Sequence, residues 1–334
     1  KSSLLQAGLF PLLRREFLLP VYVRLNHDIQ AGKVDHQIKL QLQAQLNNAS
    51  FLEPITLSQT DTQESLWRLL HRHDFVLKDR NGKRWIPIFV LDQFEEIFTH
   101  GAADAERQSQ AFYTLGDLME NRIPKALAEQ LHNDDDLFDQ LNLDAQNYRF
   151  LVSLREDYLP DLEQWTDTIP RLGPNRYRLL PMTRAQAIDA VKKTGSTLVT
   201  PQDAHNIVRY LSLTQTGRES PLPQRVTRTT RTEARIEPAL LSLICSDLNE
   251  ERLKAKQTQI NTDNLTSEGG LIIERFYDSA FHNLPESLRN FIEQYLITTD
   301  GTRLPYPERS IETEQLATAA QVQALIDRRL IRRE

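Results

Sequence analysis

Cysteine, glycine and long apolar runs are all scarce in this chain of 334 residues. Its single cysteine, Cys245, excludes an internal disulfide and a cysteine-based zinc site, and it favours a reducing, cytoplasmic compartment. The 11 glycines make up roughly half of the average glycine share of about 7%, so we expect few glycine-rich loops. With 16 prolines in the sequence, we expect helices that are bounded by prolines. No run approaches the roughly 18 consecutive apolar residues of a bilayer span, so we expect no membrane anchor in this sequence.

A strong excess of basic residues is missing as well. The 40 Lys and Arg residues stand against 46 Asp and Glu residues, which gives a net charge of −6. This balance argues against a chain that coats nucleic acid. At roughly 100–200 residues per domain, the length predicts two or three domains. The sequence opens at Lys1 with the pattern of a helix start, so we expect it to be a fragment of a longer chain.

Apolar runs alternate with amphipathic stretches in the first half of the chain, which predicts alternating strands and helices. Residues 85–91 and 148–154 are largely apolar, as is typical of strands buried on both faces of a parallel sheet. A shorter β-type run lies at 20–25, and residues 177–180 are a candidate for a further strand. The helices predicted between these runs lie at 3–14, 33–48, 64–72 and 104–132.

Strand signals nearly disappear after Pro181. Helices are predicted at 183–193, 201–213, 238–255, 270–282, 286–297 and 315–328. The expected architecture is therefore an α/β domain with a parallel sheet, followed by an all-helical part.

The strongest functional signal is the run IFVLDQFEE at residues 88–96. Asp92 follows the apolar run, at the carboxyl end of a predicted strand, where open α/β sheets bind their ligands. A carboxylate there can hold Mg²⁺ against phosphate oxygens, and either Glu95 or Glu96 could orient or deprotonate a water. The alternative is that Asp92 caps a helix that begins at Gln93.

Two weaker signals occupy matching positions. Lys1 and Ser2 are the last two residues of the phosphate-loop pattern G-x-x-x-x-G-K-[ST], in which the lysine reaches phosphate oxygens and the hydroxyl meets Mg²⁺. Arg155 follows the second buried strand and could meet a γ-phosphate at the same edge. The alternative for Arg155 is an ion pair with Glu156 or Asp157.

With these signals, the chain resembles the STAND class of P-loop NTPases, which is related to NACHT and NB-ARC proteins. It looks most like the prokaryotic branch of this class, which is often fused to WD-type repeats. DQFEE followed by the LRxDYL pattern carries most of the specificity. The resemblance runs from Lys1 to the last residues, through KSSLLQAGLFPLLR, FVLDQFEEIFT, FLVSLREDYLPDL, RYRLLPMTRAQAIDAV, EPALLSLICSDLNEERL and AQVQALIDRRL.

The resemblance implies ATP or ADP and Mg²⁺ as cofactors, and it implies roles for the matched residues. The nucleotide-binding residues would be Lys1, Ser2, Ser3 and Pro238, the last as the proline that approaches adenine. The metal residues would be Ser2 and Asp92, with Asp92 as the Walker B carboxylate. The catalytic set would be Asp92, Glu95, Glu96 and Arg155, with Arg155 as a sensor-type arginine.

The resemblance also implies a domain order and a way of working. Residues 1–181 would be the P-loop NTPase domain without its phosphate-loop glycines, 182–267 a helical domain and 268–334 a winged-helix domain. ATP would be hydrolysed slowly and would control domain packing and self-assembly into a homo-oligomer. Effector and sensor domains would lie outside this sequence, in a cytoplasmic signalling or antiviral defence system.

A different class of function is suggested by the basic end of the last region. Arg328, Arg329, Arg332 and Arg333 could neutralise phosphates if a winged-helix domain bound DNA, with the ATPase-like domain as a scaffold. The net charge and the resemblance favour a domain that instead folds against the nucleotide and holds the ATPase closed. Nucleic acid is therefore not an expected partner.

Overall fold

The structure is a computed structural model that describes residues 2–27, 31–55, 64–99, 104–216, 235–262, 265, 278, 281–297, 306–328 and 330–331. The chain divides into two units, Lys1–Tyr177 and Arg178–Glu334.

The described part of the first unit alternates helices with strands. Helix α1 opens in π-helical geometry (Leu4–Leu9) and continues as an α-helix (Phe10–Arg15). Next come β1 (Leu18–Val23), α2 (Val34–Asn48), α3 (Leu66–His71), β2 (Leu77–Lys78), β3 (Arg84–Leu91), α4 (Glu96–Thr99), α5 (Ala105–Glu120), α6 (Lys125–Asn133), α7 (Asp135–Asp139), β4 (Arg149–Val152), a 3₁₀ turn (Glu156–Tyr158), α8 (Leu159–Glu163) and a second 3₁₀ turn (Pro170–Leu172).

Strand β3 lies at the centre of the sheet in this unit. Strands β1 and β4 pair with it in parallel on opposite edges, and β2 pairs antiparallel with its first residues. The register places Val23 beside Leu91 and Leu91 beside Val152. The three parallel strands therefore end at one level and form a common carboxyl edge.

The apolar sequence of β3 is explained by burial on both of its faces. Phe89 and Leu91 belong to the main core of the unit. Ile88 and Val90, which alternate with them, pack on the other face against α1, including Phe10. The predicted buried strand is confirmed, and α1 is the element that covers its second face.

Helix α4 follows directly on the sheet edge and is anchored by aromatic side chains. Phe94 and Phe98 contact Phe112 of α5, with ring centroids 5.8 and 5.6 Å apart. Phe112 in turn stacks on Trp165 at 4.1 Å. This cluster ties the short segment after β3 to the core and so determines where its acidic residues lie.

The described part of the second unit contains β5 (Met182–Thr183), α9 (Arg184–Gly195), α10 (Pro201–Thr216), β6 (Arg235–Ile236), α11 (Pro238–Lys254), α12 (Glu286–Tyr295), α13 (Glu308–Thr313) and α14 (Ala319–Asp327). Strands β5 and β6 pair antiparallel. The buried side chains of these described ranges form two separate clusters, one around Ile207 and Ile244 and the other around Phe291 and Leu325.

Two of the predicted elements are wrong. Residues 177–180 pair with no described strand, and Tyr177 is 90% exposed. A β-prone run needs a neighbouring strand to satisfy its backbone, and this one has none within the described ranges. The single helix predicted at 104–132 is two helices, because Asn121 turns into the left-handed region (φ 57°) and Pro124 precedes the next helix.

Other expectations stay predictions. The boundaries at residues 181 and 267 are among them, as is the winged-helix domain, whose described residues contribute α12, α13 and α14. Most of the predicted helix at 270–282 lies outside the described residues, as do Arg329, Arg332 and Arg333. Arg328 donates to the backbone oxygen of His282. The two-residue strands β5 and β6 are too short for a period-2 pattern to predict.

The aromatic anchor of α4 gives a prediction about stability. Phe112→Ala should lower the free energy of unfolding by about 3–5 kcal/mol, because a fully buried ring is replaced by a cavity. Urea unfolding followed by circular dichroism would measure the change. The control is Tyr113→Ala on the same helix, whose side chain is 59% exposed, and it should cost less than about 1 kcal/mol. Equal losses would contradict the anchoring role.

Candidate functional site

The carboxyl edge of the sheet brings together polar residues from three strands. Arg24, Asp92 and Ser153 each lie one residue beyond the end of β1, β3 and β4. The backbone pairing continues for one more step, because the Asp92 N–H donates to the Val23 oxygen (3.0 Å) and the Ser153 N–H to the Leu91 oxygen (2.8 Å). The sheet therefore fixes the backbone on which these side chains stand.

The carboxylate of Asp92 is the buried centre of this edge. The residue is 2% exposed. Its Oδ2 accepts hydrogen bonds from the Ser2 hydroxyl of the N-terminal helix and from the Tyr22 hydroxyl of β1, the latter at 2.9 Å. Its Oδ1 is also buried, and no residue that the structure describes donates a hydrogen bond to it.

The surroundings keep Asp92 ionised at neutral pH. Burial by itself raises the pKa of this carboxyl group, and the hydrogen bonds from Ser2 and Tyr22 lower it. Together with the nearby Ser153 hydroxyl and Gln93 N–H, they hold the pKa of Asp92 below its ordinary value. An anionic carboxylate with one unshared oxygen suits a hard cation such as Mg²⁺, which prefers oxygen ligands. The residues present therefore fit the metal.

The alternative in which Asp92 caps a helix starting at Gln93 is wrong. Helix α4 begins at Glu96, and Gln93 has a left-handed backbone (φ 54°), which costs a non-glycine residue energy. The Phe94 N–H then donates to the Ser153 oxygen at 2.9 Å. After this tight turn, the two glutamates have hydrogen-bond partners that differ from those of Asp92. The Gln93 Oε1 is buried without a hydrogen-bond partner in the described part of the chain.

Glu95 and Glu96, which the sequence left as equivalent, have different partners. Glu96 forms an ion pair with Arg24, whose Nε lies 3.1 and 3.2 Å from the two carboxylate oxygens and whose terminal nitrogen also donates to Oε1. Glu95 accepts the backbone N–H of Arg155 at 3.2 Å. Among the described residues, no basic side chain pairs with Glu95. Of the two glutamates, only Glu96 forms an ion pair with a described residue.

Arg155 adopts the ion pair that was the alternative to its sensor role. Its guanidinium bonds to Asp157 and lies 5.8 Å from the centre of the Tyr158 ring. The sensor role stays a prediction. The side chain belongs to the first turn after β4, on the same edge of the sheet as Asp92.

The remaining predicted binding residues are less constrained. Lys1 lies outside the described residues, and Ser3 is exposed just before α1 and makes no capping hydrogen bond. Pro238 is the first residue of α11, in the second unit. Its approach to adenine stays a prediction.

Two residues of this edge were missed by the sequence analysis. Tyr22 and Arg24 lie two positions apart at the end of β1, so both point to the same side of that strand. Their polar groups meet Asp92 and Glu96, which are 70 and 72 residues away in the sequence. The available signal was a pair of polar residues at the end of a predicted strand, but the sequence could not say which strand lay beside it.

Comparison with known families defines the class of protein. The family described as Novel STAND NTPase 1 matches residues 1–334, the whole chain. The chain is thus a STAND NTPase, a nucleotide-binding protein of the switch type, and it belongs to the Novel STAND NTPase 1 family. No curated protein and no solved structure matches it. None of the helices in the described ranges is long and apolar enough to cross a membrane.

The ion pair between Arg24 and Glu96 gives a prediction about stability. Arg24→Ala leaves the Glu96 carboxylate, whose side chain is 9% exposed, without its cation. The free energy of unfolding should fall by about 1–3 kcal/mol, measured by urea titration. The control is Arg176→Ala, which breaks the exposed pair with Glu163 and should cost less than about 1 kcal/mol.

A double variant tests whether the loss of stability comes from the unpaired Glu96 carboxylate. Arg24→Ala combined with Glu96→Gln should be more stable than Arg24→Ala alone, because the neutral amide no longer needs a cation. If Arg24→Ala lowers the free energy of unfolding no more than Arg176→Ala does, the ion pair between Arg24 and Glu96 does not stabilise this edge of the sheet.

Proposed function

We propose that the protein binds ATP and Mg²⁺ at the carboxyl edge of the first unit and hydrolyses ATP slowly, as the timing step of a molecular switch. The observation that carries this proposal is the buried Asp92 carboxylate, which has one oxygen held by two hydroxyls and the other unshared. A buried acceptor without a donor is costly in a folded protein, and a cation would remove that cost.

The metal would be held by Asp92 and the hydroxyl of Ser2. These two groups already touch, and Ser2 opens the helix that packs on β3. When bound, Mg²⁺ would neutralise developing charge on the phosphate oxygens during hydrolysis. Lys1 would contact the same phosphates, with Ser3 beside it, and Pro238 would approach the adenine.

Glu95 is our candidate for the residue that orients the attacking water. Glu95 belongs to the same edge as Asp92, and its carboxylate accepts a hydrogen bond from the Arg155 N–H. The position of the Glu95 carboxylate therefore depends on the segment that follows β4. Glu96 is the weaker candidate, because both of its oxygens already receive hydrogen bonds from Arg24. A carboxylate engaged in that way is a poor base for water.

Variants of the three acids in the full-length protein test the assignment. Asp92→Ala should remove Mg²⁺-dependent phosphate release from ATP. Glu95→Gln should keep ATP binding and lower the hydrolysis rate by about a hundredfold or more. Glu96→Gln should affect stability more than turnover, and Glu163→Gln, in an exposed ion pair, is the matched control. If all three variants hydrolyse ATP like the parent, the assignment is wrong.

The switch would work through the contacts that ATP makes and ADP does not. Arg155 is our candidate to read the γ-phosphate, since its pair with Asp157 is partly exposed and worth at most about 1 kcal/mol, which is easily exchanged. ATP must favour one arrangement of the domains by such differential contacts. We propose that the ATP form assembles into a homo-oligomer in the cytoplasm, and that attached effector and sensor domains use it in signalling or defence.

Light scattering on the full-length protein tests this part of the proposal. With ADP the particle mass should be that of a monomer, and with a non-hydrolysable ATP analogue it should increase. Arg155→Ala should leave ADP binding nearly intact and block the increase. A particle mass that is the same in both nucleotide states would contradict assembly. Salt-dependent binding of duplex DNA would instead favour a DNA-binding regulator.

A further inference from the structure

The residue Tyr22 lies beside the metal-site carboxylate. Its position on β1 is opposite Val90 of β3, two residues before Asp92. From there its hydroxyl donates to Asp92 Oδ2 at 2.9 Å. The ring is held edge-on against Phe10 of α1, with centroids 6.3 Å apart. Strand pairing and ring packing together leave the hydroxyl little freedom to point elsewhere.

The hydrogen bond acts on one oxygen of the carboxylate only. A carboxylate can rotate about its Cβ–Cγ bond, and a donor fixed on Oδ2 selects one rotation. In that rotation Oδ1 is the oxygen left without a donor. Ser2 also donates to Oδ2, but its hydroxyl is itself a proposed metal ligand, whereas that of Tyr22 is not.

The phenol stays a donor at neutral pH. Burial raises the pKa of Tyr22, and the hydrogen bond to Asp92 raises it further. Removing the proton would place a second negative charge against the Asp92 carboxylate. Ser2 and Arg24, which lower the pKa of Tyr22, do not outweigh these effects.

We propose that Tyr22 is a positioning residue for the metal site: its hydroxyl holds the Asp92 carboxylate in the rotation that presents Oδ1 to Mg²⁺. This inference rests on the proposed nucleotide and magnesium site. Its effect falls on the metal, because Tyr22 touches the carboxylate and would not touch the phosphates. Groups that orient a metal ligand in this way commonly change metal affinity by about 10- to 100-fold when they are removed.

The test measures how Mg²⁺ supports nucleotide binding, which is separate from turnover. A fluorescent ATP analogue is bound to the full-length protein at increasing Mg²⁺ concentrations. Tyr22→Phe should raise the Mg²⁺ concentration for half-maximal binding by about tenfold, while affinity for the analogue in EDTA stays unchanged. The phenylalanine keeps the ring contact with Phe10, and thermal unfolding would check that the variant is folded.

Tyr148→Phe is the matched control. It removes the same atom from a fully buried tyrosine whose hydroxyl donates to the Leu118 oxygen at 2.9 Å, away from Asp92. This variant should be less stable, yet it should need the same Mg²⁺ concentration as the parent. An unchanged Mg²⁺ requirement in Tyr22→Phe, with the parent binding normally, would overturn the role of Tyr22 alone. Nucleotide binding by the parent that ignores Mg²⁺ would overturn the proposed site and this inference together.

Discussion

A carboxylate buried at the end of a parallel strand has to be compensated, and the arrangement of the first unit depends on how that is done for Asp92. Its two described hydroxyl donors come from segments 90 and 70 residues away in the sequence, so burial of the anion requires α1, β1 and β3 to be assembled together. Both of these hydroxyls donate to Oδ2, whereas Oδ1 is buried without a hydrogen-bond partner among the described residues. Under the proposed function, a cation at Oδ1 would complete the compensation of this carboxylate.

The turn after Asp92 decides what the two following acids can do. A left-handed Gln93 interrupts the strand before α4 starts, and the aromatic anchor of α4 then holds the segment in place. Glu96 meets the arginine at the end of β1, while Glu95 meets the backbone at the end of β4. Neighbours in the sequence thus connect to opposite edges of β3, which gives them different chemical uses.

The sequence was informative where the signal is local. The apolar run of β3, the acid that follows it and most helices could be predicted, because burial on both faces and helical periodicity leave direct patterns. Tyr22 and Arg24 could not, since their importance comes from the pairing of β1 with β3. The same limit explains why Glu95 and Glu96 were indistinguishable. It also explains the wrong strand at 177–180, where local propensity had no partner strand to act on.

In the proposed function, the unshared oxygen of Asp92 faces the metal of a nucleotide complex. The most direct measurement is a crystal structure of the full-length protein with a non-hydrolysable ATP analogue and Mn²⁺ in place of Mg²⁺, with the metal located by anomalous scattering. We expect an anomalous peak beside Asp92 Oδ1 and the Ser2 hydroxyl, in direct contact or through one water. A metal and nucleotide bound elsewhere, with Asp92 still buried against Ser2 and Tyr22 alone, would contradict the proposed function.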